Sequence, residues 1–109
     1  MEIGASTNKL EKIISSSKKL KKQFGTDIAN RIQQRITEFQ AADTLSDISH
    51  LPPARLHALS GNRKDCFAVD VSANVRLIFQ GLDEDYEITT DKTKAIKIYI
   101  KEVRDYHGN

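Results

Sequence analysis

Arg76, Lys97, Tyr99, Lys101, Asp105 and His107 recur at a spacing that sets them on one surface. Val75, Leu77 and Phe79 form an apolar set at a period of two, which turns Arg76 to the opposite side. Ile96, Ile98 and Ile100 alternate in the same way with Lys97, Tyr99 and Lys101, and the parity continues to Asp105 and His107. These residue types suit cleavage of an RNA phosphodiester without a metal. That reaction takes a proton from the 2′-hydroxyl, stabilises the negative charge of a phosphorane and returns a proton to the leaving 5′-oxygen. A histidine takes or gives a proton near neutral pH. An arginine holds a phosphate with its planar fork. A tyrosine stacks on a base or donates a hydrogen bond, and Asp105 can orient or charge-tune the imidazole. A one-residue slip would reverse the faces. Val103 shares the parity of the polar set, which points to a bulge near it.

The elements that must carry this surface can be read from period. Residues 2–6 suit an edge strand. Asn8 and Glu11 have capping-box spacing, and Leu10, Ile13, Ile14, Ser17, Leu20 and Phe24 then fall on a single helical stripe that Gly25 ends. Thr26 can cap a second helix, in which Ile28, Ile32, Ile36 and Phe39 make the apolar face. Arg31, Arg35 and Glu38 fall on its polar face, with Arg35 and Glu38 placed to pair at i, i+3. Two helices with so short a link form a hairpin over residues 8–42. Pro52-Pro53 forces an extended approach to the second half. Phe67, Val69 and Val71 alternate with Cys66, Ala68 and Asp70, Ser72-Ala73-Asn74 turns the chain, and the strand bearing Arg76 returns. Helices followed by strands predict an α+β fold: a single domain, 1–109, with a helical hairpin on one face of a small antiparallel sheet over residues 55–107. The first strand would make that sheet mixed.

Composition limits the alternatives. The chain has 109 residues, 39% hydrophobic and 29% charged, ordinary values for a globular protein. No apolar run approaches the roughly 18–20 residues of a membrane helix, and the opening residues carry neither the basic nor the apolar region of a signal peptide. Cys66 is the single cysteine, which excludes an internal disulfide and fits a reducing compartment. Without a histidine at nucleophile-like spacing, Cys66 reads as an inert thiol. His50, His57 and His107 lack metal-ligand spacing, so neither metal nor cofactor is expected. The net charge of +2 is small but unevenly spread: residues 1–42 carry +4, residues 43–81 none, and residues 82–109 carry −2. The acidic run Asp83-Glu84-Asp85-Tyr86-Glu87 reads as a solvated loop.

Several segments in order carry a family resemblance. Leu56-His57-Ala58-Leu59-Ser60-Gly61-Asn62-Arg63, the strand led by Phe67, Asn74-Val75-Arg76-Leu77-Ile78-Phe79 and the end Glu102-Val103-Arg104-Asp105-Tyr106-His107 resemble the HigB group of the RelE/ParE toxin superfamily. The resemblance covers about residues 45–109, and the helical hairpin before them suits the family's layout. It departs at three places. Ser60 stands where many members have a lysine, and Lys64 is the nearby cation that can stand in. Asn62 replaces an aspartate and Phe67 a tryptophan.

The resemblance implies a RelE/ParE-like fold and a ribosome-dependent endoribonuclease that cuts mRNA in the decoding site. It implies a cognate antitoxin, of the HigA-like helix-turn-helix kind, and a bacterial cytoplasmic setting. Carried across by position, Arg76 would hold the scissile phosphate, and Asp105, Tyr106 and His107 would form the catalytic tail. His57, Arg63 and Lys64 would bind RNA, with Lys97 and Lys101 on the same face. The six lysines between Lys9 and Lys22 read either as a solvated face or as a contact for ribosomal RNA phosphates or an acidic antitoxin segment. The superfamily also contains ParE-type inhibitors of DNA gyrase, and a degenerate toxin that only binds its antitoxin is a third reading. The Asp105-Tyr106-His107 end favours the nuclease.

Overall fold

The computed structural model describes residues 1–106, so His107 lies outside the described residues. Strand β1 (Glu2–Ala5) leads into helices α1 (Asn8–Ile14), α2 (Ser17–Phe24) and α3 (Thr26–Ala41). Strands β2 (His57–Ala58), β3 (Phe67–Asp70), β4 (Val75–Leu82), β5 (Ile88–Thr89) and β6 (Lys97–Asp105) follow. The sheet order is β1-β6-β4-β3-β2, with β5 beside the far end of β4. Every pairing is antiparallel except β1 with β6, so the α+β class with a first strand that makes the sheet mixed is the one found.

The apolar periods pack as their spacing dictates. Leu20, Ala29, Ile32 and Phe39 from the helices meet Phe67, Val69, Leu77, Phe79, Ile98 and Ile100 from the sheet. Phe39 sets its ring edge-on to Phe79, centroids 5.0 Å apart, and Phe79 stacks on Phe67 at 6.0 Å. Such pairs add roughly 0.5–1.5 kcal/mol each beyond the area they bury.

The first helical stripe divides in two. Ser15 Oγ donates to the Glu11 carbonyl at 2.7 Å, and the Ser16 hydroxyl accepts from the Lys19 N–H at 3.2 Å and caps a new helix. Serines offer the backbone these local alternatives to helix. Thr7, not Asn8, caps α1 by accepting from the Leu10 N–H at 3.1 Å, which leaves Glu11 one place beyond the capping-box position. Gly25, at φ +83°, both closes α2 and starts α3, so Thr26 is the first helical residue and not the cap. Arg35 departs from its expected solvated face: it is 3% exposed. A buried charge persists only when paired, and Arg35 donates to both carboxylate oxygens of Glu38 at 2.8 Å, the expected i, i+3 pair. Residues 51–55 form a turn in place of the expected extended approach, closed by the Arg55 N–H on the Leu51 carbonyl at 3.0 Å.

The β4–β6 ladder carries the bulge that Val103 announces, two residues earlier. Phe79 pairs with Ile100 but Ile78 with Glu102, so Lys101 is the extra residue. The bulge reverses the parity of everything beyond it. Val103 lies opposite Leu77 and packs on the core, while Glu102 and Arg104 turn to the other face.

Candidate functional site

Residues directly opposite each other in a ladder share a face. The face away from the helices therefore carries Arg76, Ile78 and Gln80 from β4, Ala68 and Asp70 from β3, His57 from β2, and Lys97, Tyr99, Glu102 and Arg104 from β6. Its centre is not a continuous polar surface. Cys66, Ala68 and Ile78 are buried together under Leu59, and Gln80, also buried, donates to Asp65 at 3.0 Å. Burial pushes the Cys66 thiol up from its ordinary range, and its contact with Asp65 adds to the effect, so the sulfur stays protonated.

This apolar floor separates the polar residues. Lys97 lies at one end of β6, its ammonium 3.6 Å from the Tyr86 ring centroid. Arg104 is seven residues along the strand, about 23 Å at the usual rise, so Lys97 and the arginines do not form one site. Lys101 and Arg63 occupy the middle. Lys101 reaches towards Tyr99, 5.6 Å from its ring centroid, and Arg63 is ion-paired with Glu102. Lys64 is exposed just after the short helical turn of residues 61–63.

The arginine end is the concentrated part. Arg76 and Arg104 stand directly opposite each other, an arrangement that like charges disfavour. Both guanidinium groups lie over the ring of Tyr106, Arg76 at 4.9 Å and Arg104 at 5.4 Å from its centroid. The ring's negative face offsets part of the repulsion. The Tyr106 N–H donates to the Asn74 carbonyl at 2.7 Å, which prolongs the ladder past Asp105 and fixes the tyrosine backbone, while the side chain remains exposed. Two forked cations beside an exposed ring can hold a phosphate and stack a base.

Asp70 borders this pair. Its Oδ1 lies 3.3 Å from Arg76 Nε, and Arg55 donates to it through Nε at 2.7 Å and Nη2 at 3.1 Å. The hydrogen bond and the charge of Asp70 raise the Arg55 guanidinium above its already high range, so Arg55 is a fixed cation. His57 Nδ1 lies 2.8 Å from the Arg55 carbonyl. A carbonyl only accepts, so Nδ1 carries the proton and a neutral ring presents Nε2 as a base.

Of the residues expected on the face of Arg76, Lys97 and Tyr99 are there, and Lys101, the bulged residue, reaches over the Tyr99 ring; His57, which the resemblance gives only as an RNA contact, joins them. Asp105 is not there: it pairs with Val75, so the bulge at Lys101 has turned it towards the helix side. Tyr106 takes its place beside Arg76. The expected continuation of the face to His107 falls outside the described residues. Arg55, Asp70 and Arg104 belong to the constellation and were not singled out from sequence. Arg104 lies within the terminal segment Glu102-Val103-Arg104-Asp105-Tyr106-His107 that carries the resemblance, and Asp70 is the residue that the Ser72-Ala73-Asn74 turn brings opposite Arg76.

The family model that matches the chain is that of the HigB-like toxin, a RelE-like toxin of a type II toxin–antitoxin system, over residues 6–96. His57, Arg63, Lys64 and Arg76 lie inside the match, and β6 with Tyr106 follows it. A YoeB/ParE toxin from Agrobacterium tumefaciens shares the fold, with a TM-score of 0.62 at 7% sequence identity, over 98% of this chain and 100% of that one. No curated protein sequence matches the chain.

Proposed function

The chain belongs to the HigB-like family of RelE-like toxins of type II toxin–antitoxin systems, and from that premise we propose that it is a metal-independent endoribonuclease that cuts mRNA in the decoding site of the ribosome and so stops translation. The observation that carries this reading is the meeting of Arg76 and Arg104 at the Tyr106 ring on the sheet face away from the helices. A nuclease gains a site for the charge that grows on phosphate.

In this reading Arg76 grips the scissile phosphate and stabilises the phosphorane. Tyr106 stacks on a base or donates a hydrogen bond. His107 moves a proton to or from the reacting oxygens. His57 offers Nε2 as a second proton acceptor at the edge of the site. Arg63, Lys64, Lys97 and Lys101 line the approach of the RNA backbone. The site draws on no cofactor. A HigA-like helix-turn-helix antitoxin is the partner that holds the toxin silent in the bacterial cytoplasm, and the ribosome is the partner that completes it.

The test is growth arrest on expression without antitoxin, followed by pulse labelling. Protein synthesis should fall first, and purified protein should cut mRNA on programmed ribosomes far faster than naked RNA, at EDTA levels that spare the ribosome. DNA synthesis falling first, with cleaved gyrase–DNA complexes, would replace this reading by a gyrase inhibitor.

A further inference from the structure

We propose that Asp70 is a positioning residue that holds the Arg76 guanidinium for its substrate, and that Arg55 holds Asp70; the proposal rests on the reading of Arg76 as the phosphate-gripping group. Asp70 stands directly opposite Arg76 on the β3–β4 hairpin and meets it at Nε, 3.3 Å from Oδ1. That contact is an ion pair, and among the described residues neither terminal nitrogen of the Arg76 fork makes a hydrogen bond or ion pair. Attraction at Nε draws the group to one side of the strand without consuming the edge between the terminal nitrogens that a phosphate can take.

A carboxylate beside a phosphate site repels the phosphate unless its charge is met elsewhere. Arg55 meets it, with two bonds of 2.7 and 3.1 Å. With Arg55, Arg76 and Arg104 against Asp70, the cluster keeps a surplus of positive charge. Asp70 is itself immobilised from both sides of its peptide. Its N–H donates to the Ala54 carbonyl at 2.7 Å, and its carbonyl accepts from Arg35 Nε at 2.8 Å. Arg35 is buried and balanced by Glu38, so the hold on Asp70 is anchored in α3 rather than in a loop.

Arg55 carries a second sign of constraint. Its φ of 48° lies in the left-handed region, which an L-residue keeps only where its surroundings hold it. The same residue gives its carbonyl to His57 Nδ1 at 2.8 Å and its side chain to Asp70. One backbone position thus sets both the tautomer of His57 and the place of Asp70.

The experiment uses the full chain in single-turnover cleavage of mRNA on programmed ribosomes, with wild type, Asp70→Asn, Arg76→Ala and the double variant. Asn keeps the shape of Asp70 and removes its charge. The cleavage rate at saturating protein should fall about 10- to 100-fold in Asp70→Asn, the scale of a misplaced catalytic group, with the half-saturating concentration nearly unchanged. In the Arg76→Ala background, Asp70→Asn should cause no further loss, because it acts through Arg76. Equal losses in both backgrounds would overturn the proposal. A second measurement, the 15N heteronuclear NOE of Arg76 Nε, should be high in wild type and fall in Asp70→Asn; an unchanged value would also overturn it. Arg55→Gln should shift both readouts in the same direction, and it keeps the question open to test should Asp70→Asn fail to fold by circular dichroism. A wild-type protein that cuts no translated mRNA would instead overturn the ribonuclease reading, and the NOE comparison would then decide by itself whether Asp70 holds Arg76.

Discussion

Asp105 lies directly opposite Val75, one step along the ladder from the Arg76–Arg104 pair, so its side chain leaves the sheet on the opposite face from theirs. Asp70 and Asp105 are therefore not equivalent: Asp70 shares the face of Arg76 and Asp105 does not. Arg76→Ala should lose roughly 10²–10³-fold in cleavage, the range for removing a donor that stabilises developing charge. Asp105→Asn should lose clearly less. Single-turnover rates on programmed ribosomes rank the two, and an Asp105→Asn variant as impaired as Arg76→Ala would place Asp105 at the reacting phosphate.

His107→Gln keeps size and some hydrogen bonding but removes the titrating group. Cleavage should fall roughly 10²–10⁴-fold, the usual span of a general acid–base residue. The circular dichroism spectrum and melting temperature should not change. The limb of the pH–rate profile that belongs to a group titrating near neutrality should vanish with it. A folded variant that cuts at the native rate would remove His107 from the mechanism.

Cys66 provides a pH-dependent check on the closed centre of the sheet face. Its thiol is pushed up by burial beneath Leu59 and by its contact with Asp65. The thiolate is the reactive form. Alkylation by iodoacetamide at pH 8 should therefore be slower than that of a free thiol, and the rate should climb at a higher pH than for the free thiol. Unfolding in guanidinium should abolish the difference. Alkylation of the folded protein as fast as of glutathione would mean that the apolar floor is open.

Much of this arrangement was legible in the sequence because one physical signal dominated it. Phe67, Val69, Leu77, Phe79, Ile98 and Ile100 have no alternative to burial, and their period of two located the strands and put Arg76 on the outer face. The failures occur where a single backbone event outweighs periodicity. Ser16 adds only one capping bond, yet it breaks a stripe that reads as continuous from Leu10 to Phe24. Arg35 sits at a charged position of an amphipathic helix; its pair with Glu38 is local and legible, but only the tertiary bond to the Asp70 carbonyl reveals that it is buried. Arg55 and Asp70 are fifteen residues apart and meet only because a turn brings Arg55 beside β3.

The bulge at Lys101 decides which residues share the face of Arg76, and it makes the sharpest stability prediction. Lys101 is the one residue of β6 without a partner between the Phe79–Ile100 and Ile78–Glu102 pairs. With Lys101 deleted, Glu102 would follow Ile100 directly, and an uninterrupted ladder would keep Glu102 opposite Ile78, Val103 opposite Leu77 and Arg104 opposite Arg76. The single deletion should therefore stay folded and melt close to the wild type. Deleting Lys101 and Glu102 together removes one residue more, and a shift of one residue exchanges the faces of all that follows. Val103 would then lie opposite Ile78 and Arg104 opposite the buried Leu77. A buried apolar contact or several ladder hydrogen bonds would be lost, each worth on the order of 1 kcal/mol. The double deletion should melt well below the wild type. Thermal unfolding followed by circular dichroism separates the two, and a double deletion as stable as the single one would show that burial of Val103 does not set the register that brings Arg104 and Tyr106 beside Arg76.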